Sequence, residues 1–125
     1  METHKELDKK FQKELNAGIT SLIILSILQQ TKEPMYGYQI SKYLDTDNSR
    51  MPLIKQGVLY PVLRSLEKNA LLQSEVEPST SGPPRRYYHI TEKGQDTLIR
   101  WIDMWKQTIS FVEEVLEGEF NDGPN

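Results

Sequence analysis

The chain has 125 residues, of which 37% are hydrophobic and 26% are charged, with a net charge of −3 and no cysteine. This length suits one domain with one hydrophobic core and excludes a large two-domain enzyme. The lack of cysteine excludes disulfides, thiolate zinc sites and cysteine nucleophiles. The longest apolar stretch (19–28) is too short to cross a bilayer, and no signal-peptide pattern is visible, so a cytoplasmic location without membrane partners is expected.

The charges are unevenly distributed. Residues 34–93 contain eight Lys or Arg and six Asp or Glu, whereas residues 94–125 contain two and seven. This asymmetry indicates that the middle and the C-terminal end have different roles. The two histidines, His4 and His89, lie far apart in sequence, so neither a metal site nor another cofactor site is expected.

The N-terminal part predicts three helices. Residues 3–15 form a polar helix with a narrow apolar stripe, which needs a partner surface; the alternative is a frayed N-terminal extension. Asn16 is an acceptable N-cap for a second helix, apolar on most sides, which ends before Pro34. A short third helix is expected from Tyr36 to about Leu44, followed by a polar loop at 45–52.

The middle of the chain predicts a fourth helix and a hairpin. Apolar residues at helical spacing indicate a helix from about Gln56 to Asn69, with Asn69 as a left-handed C-cap. Strands at 71–77 and 85–90 flank a turn rich in Pro, Gly and Ser. Because Tyr87 and Tyr88 alternate on the second strand, one of them is expected in the core.

The last predicted helix is the longest, running from about Glu92 to Leu116, with Thr91 as its N-cap and Gly118 as its stop. Residues 119–125 are expected to form a disordered tail. Apolar residues step along this helix by 4, 3, 4, 3 and 4, which is the seam of a coiled coil. They are Leu98, Ile102, Trp105, Ile109, Val112 and Leu116.

This order of elements is that of a winged helix-turn-helix, a mainly α fold with a small β-hairpin. The expected organisation is an N-terminal extension (1–15), a winged helix-turn-helix DNA-binding domain (16–91) and a C-terminal dimerisation helix (92–118). In such a fold one helix enters the major groove of DNA and the hairpin tip lies beside it. Gln and Arg contact bases, while Lys and Tyr reach phosphates. The alternative for the helix is an ordinary solvated face. The residues predicted from this placement are Lys55, Gln56, Tyr60, Arg64, Lys68, Arg85 and Arg86.

Three motifs, in order, resemble those of PadR-type transcriptional regulators over about residues 18–116. The segment 35–40 (MYGYQI) is similar to the start of their second helix. The segment 57–67 (GVLYPVLRSLE) resembles their recognition helix, and 84–94 (PRRYYHITEKG) resembles the return strand of their wing. The resemblance implies a homodimeric repressor that binds an inverted repeat in double-stranded DNA. It adds Tyr36 as a phosphate contact, and the predicted set is completed by Lys42, Thr80 and Ser81.

The single long C-terminal helix resembles the short branch of that family, in which it forms the dimer interface together with the N-terminal helix. This implication adds Leu7 and Phe11 to the seam residues as interface residues. A dimer would also cover an apolar seam that a lone terminal helix leaves exposed.

Two further hypotheses concern ligands and rival functions. Trp101 and Trp105 lie four residues apart on the last helix, where the resemblance implies a pore for a planar cationic or aromatic effector; ordinary dimer-core packing is the alternative. The rival function is a winged-helix module that binds protein without specific DNA binding. An enzyme has almost no support, because no nucleophile–base pair or phosphate-binding glycine motif occurs.

Overall fold

The computed structural model describes residues 3–44 and 56–119, and the structural statements below refer to these residues. Five helices and three strands occur in them, which confirms a mainly α winged-helix fold with a long last helix. In chain order the elements are α1 (His4–Asn16), α2 (Ile19–Thr31), β1 (Met35–Tyr36), α3 (Gly37–Leu44), α4 (Gln56–Lys68), β2 (Leu72–Glu77), β3 (Arg85–Ile90) and α5 (Glu92–Glu117). The predicted loop at 45–52, Lys55 and all of the predicted tail after Glu119 lie outside the described residues.

Helix α1 begins with a capping box. The Glu6 backbone N–H donates to Thr3 Oγ1 (3.2 Å), and the Thr3 backbone N–H donates to Glu6 Oε2 (3.4 Å), so two of the unpaired N–H groups of the first turn are satisfied. The prediction of Asn16 as the N-cap of α2 is wrong, because Asn16 is the last residue of α1. Gly18 holds the N-cap position with a φ of 89°, which a residue without Cβ adopts readily.

The hydrophobic core lies between α2, α3, α4, the sheet and the first turns of α5. Apolar side chains converge there from all of these elements, because each element turns one apolar face inward. The buried members are Ile24, Leu25, Leu28, Met35, Ile40, Leu59, Leu63, Leu66, Leu71, Leu72, Tyr88 and Leu98.

The sheet has three strands rather than the two of the predicted hairpin. Its order is β1-β3-β2, and both pairs are antiparallel. Tyr36 therefore lies in β1, directly opposite Tyr87, and α3 begins one residue later than predicted, at Gly37. The buried side chain of Met35 anchors this short strand in the core. The wing is the hairpin of β2, β3 and the turn between them. Its return strand, β3, is therefore bonded to the segment that leads into α3.

Helix α4 ends in a left-handed turn at Ala70, not at Asn69 as predicted. Ala70 has a φ of 64°, and the Leu71 backbone N–H donates to the Leu66 carbonyl (2.9 Å), as in a Schellman motif. The Asn69 side chain instead donates to the Ser65 carbonyl (2.9 Å). The turn delivers the chain directly into β2.

Helix α5 begins and ends as predicted, with Thr91 as N-cap and Gly118 in the left-handed conformation. The Thr91 hydroxyl accepts from the Gly94 N–H (2.9 Å) and donates to the Ala70 carbonyl (2.7 Å), so it joins α5 to the turn after α4. Gly94 lies so close to this turn that a Cβ would be 2.2 Å from the Leu71 carbonyl oxygen. None of the described helices is long and apolar enough to span a membrane.

Candidate nucleic-acid interface

Helix α4 has one buried face and one exposed face. Leu59, Leu63 and Leu66 are buried in the core. Tyr60 and Arg64, four residues apart, lie on the exposed side, and Lys68 continues the same line. This exposed face carries a phenol and two cations, which suit contacts with bases and phosphates. Gln56, also predicted to contact DNA, is the first residue of α4.

Tyr60 fixes how closely α3 approaches α4. A Cβ on Gly37 would lie 2.6 Å from the Tyr60 hydroxyl oxygen and 2.7 Å from two ring carbons. The Tyr60 ring therefore packs on the Gly37 backbone, where any larger residue would displace it. The tyrosine is still 44% exposed, so this packing leaves part of its side chain accessible from outside.

The wing is tied to α4 by a hydrogen-bonded relay. Arg86 Nη1 donates to Ser74 Oγ (2.9 Å), and the Ser74 hydroxyl donates to Glu67 Oε2. Arg86 is exposed, but part of its guanidinium is committed to this relay, which the sequence did not indicate. Glu67 and Ser74 were also missed, because their alignment with Arg86 depends on the register of β2 and β3, in which Ser74 lies opposite Tyr88, two residues after Arg86.

Tyr88 lies beneath this relay and is the core member of the tyrosine pair. Its pKa is raised from the ordinary value of 10.0, first by burial and then by the Glu67 carboxylate, while Arg86 and Arg64 act in the opposite direction. The phenol is therefore uncharged at neutral pH. Arg64 on α4 and Arg86 on β3 thus both lie close enough to Tyr88 to act on its pKa.

A second group of side chains lies where β1 meets β3. The rings of Tyr36 and Tyr38 stack with centroids 6.3 Å apart, and Tyr87 meets Tyr36 edge-on at 5.3 Å. Arg85 lies over the Tyr36 ring and Lys42 over the Tyr38 ring. The predicted contacts Tyr36, Lys42 and Arg85 are thus brought together, along with Tyr38 and Tyr87, which were not among the predicted DNA contacts.

The predicted contacts among the described residues lie on α3, on the exposed side of α4 and on the wing; after its predicted role we name this region the DNA-facing surface. Gly37 joins Tyr36 to Tyr60, and the relay joins α4 to the base of the wing. Thr80 and Ser81 are exposed at the wing tip. The cations described on this surface are Lys42, Arg64, Lys68, Arg85 and Arg86.

Helix α5 divides into two parts along its length. Leu98, predicted at a dimer interface, is only 5% exposed and belongs to the core of its own chain, so that part of the predicted seam is wrong. Ile102 and Trp101 are partly buried against the same core. In contrast, Trp105, Val112 and Leu116 are exposed, and Leu116 is 79% exposed. The two tryptophans therefore lie in different environments.

The exposed apolar face of the distal α5 is wider than the predicted seam. Met104, Phe111 and Val115 are also exposed and extend the face around the helix by helical spacing. Ile109 is half-buried. No residue of α1 is buried, and its apolar residues Leu7, Phe11 and Leu15 are exposed as well. Both terminal helices thus present apolar residues away from the core.

Comparison with known proteins places this arrangement in a family. Residues 24–100 match the family described as transcriptional regulator PadR-like. The structure of a PadR family transcriptional regulator from Eggerthella lenta is 32% identical, with a TM-score of 0.76 over 94% of this chain and 97% of that one. A PadR-like transcriptional regulator from Bacillus cereus is 32% identical, with a TM-score of 0.66 over 85% of this chain and 99% of that one. An uncharacterised protein of Lysinibacillus sphaericus is 28% identical over 104 residues, which are 83% of this chain and 93% of that protein.

Proposed function

Because the chain belongs to the PadR-like family of transcriptional regulators, and is therefore a DNA-binding regulator rather than an enzyme, we propose that it is a homodimeric repressor of an inverted-repeat operator. The observation that carries the proposal is the contrast between its two exposed regions. The DNA-facing surface is cationic and aromatic, while the distal α5 and α1 each expose an apolar face. A dimer buries the second region and presents two copies of the first.

The width of the apolar face supports a specific kind of dimer. A two-helix coiled coil needs only a narrow seam, whereas the distal α5 exposes apolar residues over about half its circumference. In our proposal this face packs against both α1 and α5 of a second copy. A two-fold axis then relates the two α4 helices, which read half-sites about one DNA turn, roughly 34–36 Å, apart.

The dimer is tested by Val112→Glu, which places a charge on the apolar face. Ser110→Glu is the matched control, because Ser110 is exposed on the same helix and lies outside the seam. Sedimentation equilibrium should give a dimer for the parent and for Ser110→Glu, and a monomer for Val112→Glu. A Val112→Glu protein that remains a dimer would place the interface elsewhere.

DNA binding is tested by fluorescence anisotropy on the promoter upstream of the protein's own gene, at two salt concentrations. Arg64→Ala with Lys68→Ala should weaken binding and lower the salt slope by about one per lost phosphate contact. The control is Lys9→Ala with Lys13→Ala, which removes the same charge from the polar side of α1. Equal losses of DNA affinity in both double variants would mean that the total charge of the protein, and not contacts from Arg64 and Lys68, accounts for the effect. No binding by the parent, even at low salt, would favour the rival role as a protein-interaction module.

We further propose that release from DNA is governed by a small planar aromatic or cationic effector at the dimer interface. The supporting observation is Trp105, a large exposed aromatic ring on the apolar face, with Asp103 and Glu113 exposed on the same helix. Such an effector acts only if it binds one dimer geometry better than the other. A planar cationic dye should quench tryptophan fluorescence and lower DNA affinity in the parent and not in Trp105→Leu. Quenching without any change in DNA affinity would refute the effector role.

A further inference from the structure

The tyrosine cluster (Tyr36, Tyr38 and Tyr87) is held by backbone as well as side-chain contacts. Tyr36 and Tyr87 are direct partners across β1 and β3, and their rings meet at 66°. The Tyr36 backbone N–H donates to Gln39 Oε1 (3.1 Å), which fixes the start of α3 against β1. Tyr38, in the first turn of α3, stacks on Tyr36 with an angle of 18° between the rings. The cluster therefore spans the junction between the wing and the helix-turn-helix.

Each exposed side of the cluster holds one cation. The Arg85 Cζ is 4.6 Å from the centre of the Tyr36 ring, and the Lys42 Nζ is 5.3 Å from the centre of the Tyr38 ring. Both distances are within the range of about 6 Å for cation–π attraction. Such a contact orients the cation and leaves hydrogen-bond donors for another partner. Arg86 differs, because its Nη1 already donates to Ser74.

We propose that the tyrosine cluster holds Arg85 and Lys42 in place as a pair of phosphate-binding cations, so that Tyr38 and Tyr87 are positioning residues for DNA binding. The inference rests on the proposed operator-binding function of the DNA-facing surface. Lysine and arginine side chains lose rotamer freedom when they bind a phosphate. A cation already held against a ring loses less of it, and DNA is bound more tightly without any direct contact from the ring.

The sharpest test is a double-mutant cycle on Tyr38 and Lys42. Tyr38 is exposed, and leucine keeps its apolar bulk while removing the ring face. Tyr38→Leu should weaken operator binding about two- to five-fold, the equivalent of about 0.5–1 kcal/mol for an exposed cation–π contact. Lys42→Ala should weaken it more and lower the salt slope by about one. In the Lys42→Ala background, Tyr38→Leu should cost nothing further, because no cation remains to be held.

Tyr38→Phe separates the ring from its hydroxyl. It keeps the ring face and should bind DNA like the parent, while Tyr87→Leu, which removes the edge contact to Tyr36, should weaken binding only when Arg85 is present. Thermal melts of every variant check that the fold is kept.

Two outcomes would overturn the inference while leaving the proposed function intact. One is a Tyr38→Phe protein that loses as much affinity as Tyr38→Leu, since the hydroxyl would then contact DNA itself. The other is full additivity of the Tyr38→Leu and Lys42→Ala losses. If the parent binds no operator DNA at all, the proposed function fails and the inference fails with it.

Discussion

Gly94→Ala tests the junction between α5 and the turn that follows α4. The new Cβ would lie 2.2 Å from the Leu71 carbonyl oxygen and 2.7 Å from Ile90 Cγ1. The carbonyl cannot turn aside, because it accepts a hydrogen bond from the Thr91 N–H (3.1 Å) and belongs to the backbone that enters β2. The first turn of α5 must therefore move away from the sheet.

The cost follows from what that movement breaks. Overpacking costs about 2 kcal/mol. Thr91 also loses two hydrogen bonds to the turn, from its hydroxyl to the Ala70 carbonyl and from its N–H to the Leu71 carbonyl, at about 1 kcal/mol each. Replacing glycine by alanine inside a helix returns about 1 kcal/mol. The expected loss is thus about 3 kcal/mol in the free energy of unfolding, or roughly 12 °C in Tm for a domain of this size.

The assay is urea unfolding followed by circular dichroism, at one fixed protein concentration because the proposed dimerisation would make stability depend on concentration. Gly82→Ala is the control, since its new Cβ would have no neighbour within 4 Å. It should change the free energy of unfolding by less than about 0.5 kcal/mol. If Gly94→Ala is as stable as the parent, the close approach of α5 to Leu71 is wrong.

Three further predictions concern the DNA-facing surface and the side chains that pack beneath it. Gly37→Ala should displace the exposed Tyr60 ring and weaken operator binding several-fold. Its loss of Tm should be well below that of Gly94→Ala, because a side chain moves more easily than backbone. An affinity equal to that of the parent in the anisotropy assay would refute this prediction. The pKa of Tyr88 is raised by burial, so this tyrosine ionises at a lower pH in the unfolded chain than in the folded protein, and the free energy of unfolding falls as pH rises above about 10. In Tyr88→Phe, urea titrations between pH 8 and 11 should show a smaller fall. Parallel curves for the parent and Tyr88→Phe would contradict this prediction. Ser74→Ala removes the hydrogen bond that holds Arg86 and should lower the free energy of unfolding by about 1 kcal/mol. It should weaken DNA binding at an unchanged salt slope, since no cation is removed. A changed slope would show that Arg86 itself had lost a contact with a DNA phosphate.

The sequence predicted those elements whose pattern repeats over several turns. The bounds of α4 and α5 followed from helical spacing together with Thr91 and Gly118. Strand β1 was missed because two residues carry no periodicity, and its pairing with β3 depends on the rest of the fold. The left-handed residue after α4 was also missed, because Ala70 has no intrinsic preference for a positive φ and is held there by the chain on both sides.

For the candidate site, residue types were more predictable than their partners. The sequence was enough to single out the cations as candidate DNA contacts, but the bond from Arg86 to Ser74 depends on the register of β2 and β3. Likewise, spacing alone placed Leu98 on the same face as Leu116. It could not show that the first of these packs on its own chain and the second is exposed, because periodicity identifies an apolar face and not what covers it.

That division of α5 gives the helix the mechanics of a lever arm. Its first turns are clamped by Thr91, Gly94 and Leu98, while its far end is free of the core. From Gly94 to Leu116 the axis runs roughly 33 Å at about 1.5 Å per residue. A tilt of about 5° at the clamp moves the far end by roughly 3 Å over that length. In the proposed symmetric dimer the same geometry would work in reverse. A slight repacking between the far ends would swing the two winged-helix domains and change the distance between their α4 helices.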